Sequence, residues 1–199
     1  MPSEISDDVV TSEGVSSAPP ETTRSRRKVF IEWAVILVVA VTASFLIRTY
    51  AVQTFVIPSK SMNPMLHVGD RILVNKLSVE FGSINVGDVI VFKAPPSEHC
   101  NDEGIADLVK RVIGLPGQLL TSKGNTIYVN GKALKEPWTY FPTIGTPIGH
   151  VTVPQGRYFV MGDNRADSCD SRFWGTVPRS DIIGKVFLRV WPPSRIGFI

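Results

Sequence analysis

Thr126-Ile127-Tyr128-Val129-Asn130-Gly131 is the stretch from which the fold is read. Four β-forming residues run into Asn-Gly, the strongest short-range hairpin signal, because both turn residues tolerate the positive φ that a tight turn demands. Similar short runs recur on either side of it between turn residues: Arg71-Ile72-Leu73-Val74-Asn75, Asp88-Val89-Ile90-Val91-Phe92, Leu108 to Ile113, Arg157 to Met161 and Lys185 to Val190. No long helical period follows residue 48, so residues 48–199 read as a mostly β domain, antiparallel, with brief helices. Pro and Gly scattered from Trp138 to Pro154 mark an excursion from the core, and residues 115–154 are expected to form a smaller inserted subdomain.

Ahead of that domain stands VFIEWAVILVVAVTASFLI, residues 29–47, with Glu32 its single charge and Lys28 and Arg48 at its borders. At ~1.5 Å per residue the run is roughly 28 Å long, the thickness of a bilayer's hydrocarbon, so one helix suffices to cross. Glu32 falls in the first turn, within reach of the headgroups and at the positive end of the helix dipole. The run is too long for the core of a cleaved signal peptide and ends in Ile-Arg-Thr-Tyr rather than a small-x-small site, so an uncleaved anchor is expected. Arg24, Arg26, Arg27 and Lys28 crowd its N-terminal flank, which puts residues 1–28 in the cytoplasm and the domain across the membrane. The tail is rich in Ser, Thr, Pro and Glu with few large apolar residues and is expected to be disordered. The net charge of +3 gathers beside the helix, so it speaks of topology and not of nucleic acid.

Two segments carry candidate chemistry. A serine hydroxyl becomes a nucleophile when a base takes its proton, and a lysine amine serves as that base when desolvation disfavours its charge. In a strand through Leu108-Val109-Lys110-Arg111-Val112, Lys110 shares its face with Leu108 and Val112 while Arg111 shares the other with Val109 and Ile113. A lysine between two aliphatics is poorly solvated, although on this pattern alone an edge-strand lysine snorkelling to water is the simpler reading. Upstream, Pro58 and Pro64 stiffen the turn Ser59-Lys60-Ser61-Met62, which can hold one hydroxyl in an attack position with a second two residues earlier. Taken alone, Pro-Ser-x-Ser also fits an ordinary loop.

The joint pattern resembles the type I signal peptidases, membrane-bound serine proteases that remove signal peptides from exported preproteins. Pro58-Ser59-Lys60-Ser61-Met62-Asn63-Pro64 is similar to that family's nucleophile box, and Val68-Gly69-Asp70-Arg71-Ile72-Leu73-Val74-Asn75-Lys76 to the box that follows. Lys110-Arg111-Val112-Ile113-Gly114-Leu115-Pro116-Gly117 is similar to the lysine box; Gly162-Asp163-Asn164-Arg165, Ser168, Asp170-Ser171-Arg172 and Trp174-Gly175 are similar to the last. The resemblance implies Ser61 as nucleophile and Lys110 as general base, Ser59 joining the Ser61 backbone N–H as the oxyanion hole, Ser168 orienting the lysine, and Asp170 with Arg172 as a supporting pair. It also implies Phe55, Ile57, Met62, Leu66 and Val109 as pocket residues for small side chains at the first and third positions before the cut, although core packing is an equally good account of each. An extended peptide would bind by adding to a strand edge. The short link from Ile47 to Ser61 is expected to keep the site near the bilayer, and the tail from Val190 to Ile199 to touch lipid.

Position 60 carries a lysine beside Ser61, but neighbours in an extended segment point to opposite sides, which favours Lys110 as the base. Cys100, in the polar loop from Ser97 to Gly104, and Cys169 could pair as a disulfide in an oxidising compartment or stay as two free thiols, and the sequence leaves both open. His67, His99 and His150 have no metal-ligand spacing, so neither metal nor cofactor is expected. The protein is expected to act as a monomer on signal peptides. Two competing readings are a self-cleaving repressor-type Ser-Lys peptidase, which would bring a helix-turn-helix not found here, and a catalytically silent membrane-anchored binding module. Intact Ser59, Ser61, Lys110 and Ser168 weigh against the silent module.

Overall fold

A computed structural model describes residues 26–46, 51–97, 100, 105–139 and 144–199. Most of the expected disordered tail, residue Ile47 of the expected span, most of the loop around Cys100, including His99, and residues 140–143 of the expected excursion lie outside the described residues. The chain divides into two compact units, Met1–Val41 and Thr42–Ile199.

Helix α1 spans Arg26–Leu46 and so begins three residues before the apolar run. Its side chains from Arg26 to Phe45 are exposed around the whole circumference except at Val29. A helix apolar on every side has no polar face to turn to water. It is long and apolar enough to cross a membrane.

Twelve strands follow among the described residues: β1 (Val52–Val56), β2 (Arg71–Asn75), β3 (Val89–Lys93), β4 (Asp107–Gly114), β5 (Leu119–Lys123), β6 (Thr126–Val129), β7 (Lys132–Ala133), β8 (Val151–Thr152), β9 (Arg157–Met161), β10 (Val177–Pro178), β11 (Ile182–Trp191) and β12 (Gly197–Phe198). The larger sheet has the order β1-β2-β11-β3-β4-β9-β10 with β12 on β11, and the smaller has the order β7-β6-β5-β8. Every recorded pairing is antiparallel. Two short helices, α2 (Leu77–Glu80) and α3 (Ser171–Trp174), complete the regular structure.

The Asn-Gly signal is realised as expected. Asn130 and Gly131 take φ of 50° and 78° between β6 and β7, both in the left-handed region that a two-residue hairpin turn uses. This smaller sheet falls within residues 115–154 and covers its own core of Leu120, Ile127, Ile148 and Val153, shared with Ile113, Phe159 and Met161 of the larger sheet.

Strands β3 and β4 are buried on both faces. Ile90 and Phe92 of β3 join Leu108 and Val112 of β4 in one apolar cluster, while Val89 and Val91 face a second cluster with Ile57, Met62, Leu66, Ile72 and Val74. Each such aliphatic side chain contributes roughly 1.5–3 kcal/mol when fully buried. Into this setting β4 brings two charges, Lys110 and Arg111, each only 4% exposed. A buried charge without a partner is costly enough that both must be met by specific polar groups.

The pairing of β4 changes along its length. Asp107 to Arg111 pair with Lys93 to Val89 of β3, but β9 joins the other edge only from Arg111 onward, at Met161. Asp107–Lys110 therefore has no strand on that edge among the described residues.

Candidate active site

Ser61 sits in a single 3₁₀ turn, Lys60–Met62, entered from extended Ser59 at φ −131° and ψ 167°. The turn is held from the segment after β9: Asn164 N–H donates to the Ser61 carbonyl at 3.0 Å, and Asn164 Nδ2 to the Lys60 carbonyl at 3.3 Å. Met62 and Leu66 fix its underside in the second cluster. The Ser61 hydroxyl is thus set by backbone contacts and packing rather than left to a free loop.

Lys110 Nζ lies 2.6 Å from Ser61 Oγ, a contact between residues 49 positions apart. Ser61 is 8% exposed. Leu108 and Val112 flank Lys110 on its own face and belong to the first cluster, which matches the alternation read from the sequence. Ser59 Oγ stands 3.2 Å from Ser61 Oγ, close enough for either hydroxyl to donate.

Asp170 is fully buried and collects donors. It accepts from Gly162 N–H at 3.0 Å, from Ser168 Oγ at 2.8 Å, and from Arg172 through Nε and Nη2, each at 2.8 Å. Arg172 Nη2 also donates to the Ser168 carbonyl at 3.1 Å and Nη1 to that of Ile144. The two oxygens of Asp170 thereby tie the end of β9 to α3. Gly162 leaves room where these parts meet: a Cβ there would stand 2.3 Å from Ser168 Oγ and 2.4 Å from the Ser61 carbonyl oxygen. That puts the Ser168 hydroxyl and the Ser61 carbonyl both against the same side of one glycine.

Arg111, pointing the other way from β4, forms a bidentate pair with Asp163, Nε to Oδ1 and Nη2 to Oδ2 both at 2.7 Å. Its Nη1 donates to the Gly87 carbonyl at 2.7 Å, and Trp138 stacks on the guanidinium at 4.9 Å from the ring centroid. Arg165 Nε returns to the Gly162 carbonyl at 3.0 Å while its other nitrogens meet Glu136. These partners were not paired in the sequence reading. The signal available was composition, since Gly162-Asp163-Asn164-Arg165 supplies one anion, one amide and one cation in a row.

A cavity of about 370 Å³ opens at Ser61 and Lys110, lined by Ile57 to Met62 on one side, Asp107 to Lys110 along β4, and Ile105, Asp167, Cys100 and Cys169. Of the expected pocket residues, Ile57, Met62 and Val109 line it. Leu66 is 0% exposed in the second cluster and Phe55 packs against that cluster; neither lines the cavity. Cys100 and Cys169 are joined as a disulfide with Cα atoms 6.0 Å apart. His67 and His150 are exposed and take no part in the lining.

The profile of the family described as signal peptidase, peptidase S26, matches residues 30–191. The signal peptidase I of Mycobacterium tuberculosis is 39% identical over 94% of this chain and 82% of its own length. That of Bacillus caldolyticus is 38% identical over 88% of this chain and 98% of its own. Among solved structures, a signal peptidase I from Enterococcus faecalis V583 matches with 30% identity and a TM-score of 0.42, covering 52% of this chain and 96% of that one. The sequence matches extend across helix α1 and the β domain alike: the chain belongs to the signal peptidase I family, peptidase S26, and is a protease.

Proposed function

We propose that this protein is a single-pass membrane serine endopeptidase that removes N-terminal signal peptides from exported preproteins after small-x-small sites, with Ser61 as nucleophile and Lys110 as general base. The observation that carries the reading is the 2.6 Å contact between Lys110 Nζ and Ser61 Oγ at the floor of an open cavity. Burial between Leu108 and Val112 disfavours the ammonium, and a neutral amine at that distance accepts the Ser61 proton as Oγ attacks the scissile carbonyl. The developing oxyanion takes hydrogen bonds from the Ser61 backbone N–H and from Ser59 Oγ. Lys110 then returns the proton to the leaving amine, and a water activated by the same amine hydrolyses the acyl-enzyme. Ser168, held by Asp170 and Arg172, orients the lysine amine.

The substrate lies extended along the open edge Asp107–Lys110, where backbone groups of β4 without a strand partner give affinity and alternate side chains enter the cavity. Ile57, Met62 and Val109 bound the space for small residues. Helix α1 tethers the enzyme as a monomer, with the basic flank of Arg26, Arg27 and Lys28 on the cytoplasmic side and the catalytic domain beyond the membrane. Sharing one surface with preproteins raises the effective concentration of each for the other. Trp191, Ile196 and Phe198, exposed at 50, 59 and 86%, touch lipid.

The test is cleavage of a preprotein by full-length enzyme in detergent and lipid, with the cut mapped by mass. Wild type cuts after a small-x-small site; Ser61→Ala, Lys110→Ala and Lys110→Arg do not, since arginine keeps its charge but cannot act as a neutral base. An active Lys110→Arg variant would sink the dyad.

A further inference from the structure

A lysine that serves as a base needs cover as well as a partner, because every water it regains favours the ammonium. Lys110 shares its face of β4 with Leu108 and Val112, and Ile105 and Cys169 pack on the cluster to which those two belong. Cys169 stands in sequence between Ser168 and Asp170, and Ser168 Oγ donates to Asp170 at 2.8 Å. The sulfur of Cys169 is bonded to that of Cys100, in the connection from β3 to β4. Ser97 of the same connection donates Oγ to the Trp174 carbonyl at 3.1 Å. The connection thus holds the stretch from Ser168 to Trp174 by a covalent bond near one end and a hydrogen bond at the other. Both cysteines also line the cavity that contains Lys110 and Ser61.

We propose that the Cys100–Cys169 disulfide is a positioning element for the general base: it fastens the Ser168–Asp170 segment on the Lys110 face of β4, keeping water from the amine and Ser168 beside it. The inference rests on the Ser61–Lys110 peptidase reading above and adds to it what holds the base in its active form. A cover excludes water only while it stays packed, and two bonded side chains cannot part as two free thiols can. Without the bond the segment is held by polar contacts alone, the amine gains water and its charged form becomes easier to reach. The ammonium then persists to higher pH, so the acid limb of activity moves upward. Other charges near the amine do not change with the bond. Lys60, Asp107 and Asp167 line the same cavity, Asp170 is paired with Arg172, and Arg111 meets Asp163 on the other face.

The experiment measures kcat/KM against pH with full-length enzyme in lipid and detergent and a preprotein carrying Ala at the first and third positions before the cut. Three forms are compared: oxidised wild type with the bond verified by mass, wild type reduced with a water-soluble phosphine, and Cys100→Ala/Cys169→Ala, which has no thiol to titrate. The acid limb of both bond-free forms is expected to move to higher pH by about one unit, a fraction of the 3–5 units that full burial can impose. The ratio of oxidised to bond-free activity is then about tenfold larger on the acid limb than on the alkaline plateau. A ratio that is the same at every pH, or a limb that moves to lower pH, overturns the proposal. So does loss of fold by circular dichroism in both bond-free forms, which makes the bond a support of the domain and not of the base. Failure of folded, oxidised wild type to cut the preprotein at any pH refutes the peptidase reading itself.

Discussion

Gly162→Ala adds one methyl group just after β9, where the backbone runs beside the turn of Ser61 and the loop of Ser168. The new Cβ would stand 2.4 Å from the Ser61 carbonyl oxygen and 2.3 Å from Ser168 Oγ, against about 3.4 Å for ordinary contact. Subtracting 2.4 from 3.4 leaves about 1 Å by which the Ser61 backbone must retreat, since the atom the new Cβ meets is a backbone oxygen and not a flexible chain end. Ser168 Oγ can rotate, but only by giving up its 2.8 Å bond to Asp170. A misplacement of about 1 Å at a reacting group costs about a hundredfold in rate, whereas overpacking by one methyl costs about 1–3 kcal/mol of a stability near 5–15 kcal/mol. The variant is therefore expected to fold and to lose about two orders of magnitude in kcat/KM. Preprotein cleavage measured beside thermal unfolding separates the two effects. Gly149→Ala, where an added Cβ meets nothing within 4 Å, is the control. A folded Gly162→Ala enzyme that cleaves within about threefold of wild type would refute the reasoning, because the 2.4 Å contact would then be relieved without moving the nucleophile.

Other expectations follow from the same contacts. Asp163→Ala strands a guanidinium that is 5% exposed and is expected to lower stability by about 3–5 kcal/mol in denaturant unfolding, while Arg111→Met/Asp163→Leu costs less than the single change. Ser59→Ala removes one oxyanion donor and is expected to reduce kcat about 10²–10³-fold with KM little changed, and Ser59→Thr to restore most of it. Because a protonated Lys110 has no lone pair for the Ser61 proton, kcat/KM is expected to fall as pH is lowered; a flat acid limb in a range where circular dichroism reports intact fold contradicts the lysine base. Loss of the bond that closes a separation of 69 residues is expected to lower stability by about 4 kcal/mol in urea titration of oxidised and reduced protein.

Much of the larger sheet was legible because its strands are short β-branched runs with apolar residues on both faces. Arg71–Asn75 and Arg157–Met161 are strands over the residues read from sequence, and Leu108 to Ile113 extends by one residue at each end. Strand β1 was not read, since Gln53 and Thr54 interrupt its apolar pattern and it sits at the sheet edge with both exposed. Strand β5 was missed for a similar reason: Thr121, Ser122 and Lys123 give it a polar half. For the site, alternation along β4 put Lys110 among aliphatics, and the turn chemistry of Pro58 to Pro64 marked Ser61. What alternation cannot supply is the partner across 49 or 52 positions, so Lys110 with Ser61 rested on resemblance and Arg111 with Asp163 went unpaired. Leu66 illustrates a further limit: an apolar residue near the Ser61 turn reads the same in sequence whether it borders the cavity or packs fully buried in the core beside it.

That β4 carries consecutive buried charges of different chemistry has a consequence for when the enzyme becomes dangerous. Lys110 and Arg111 meet Ser61 and Asp163 respectively only if β4 is seated in one register, because a slip of one residue would exchange amine for guanidinium on each face. Before that strand is in place, Ser61 and Lys110 are 49 positions apart along the chain and do not meet. On the proposed Ser61–Lys110 pairing, cleaving power is withheld from the unfolded chain and arises only when β4 is seated in its sheet, so folding itself acts as the safety catch of this protease.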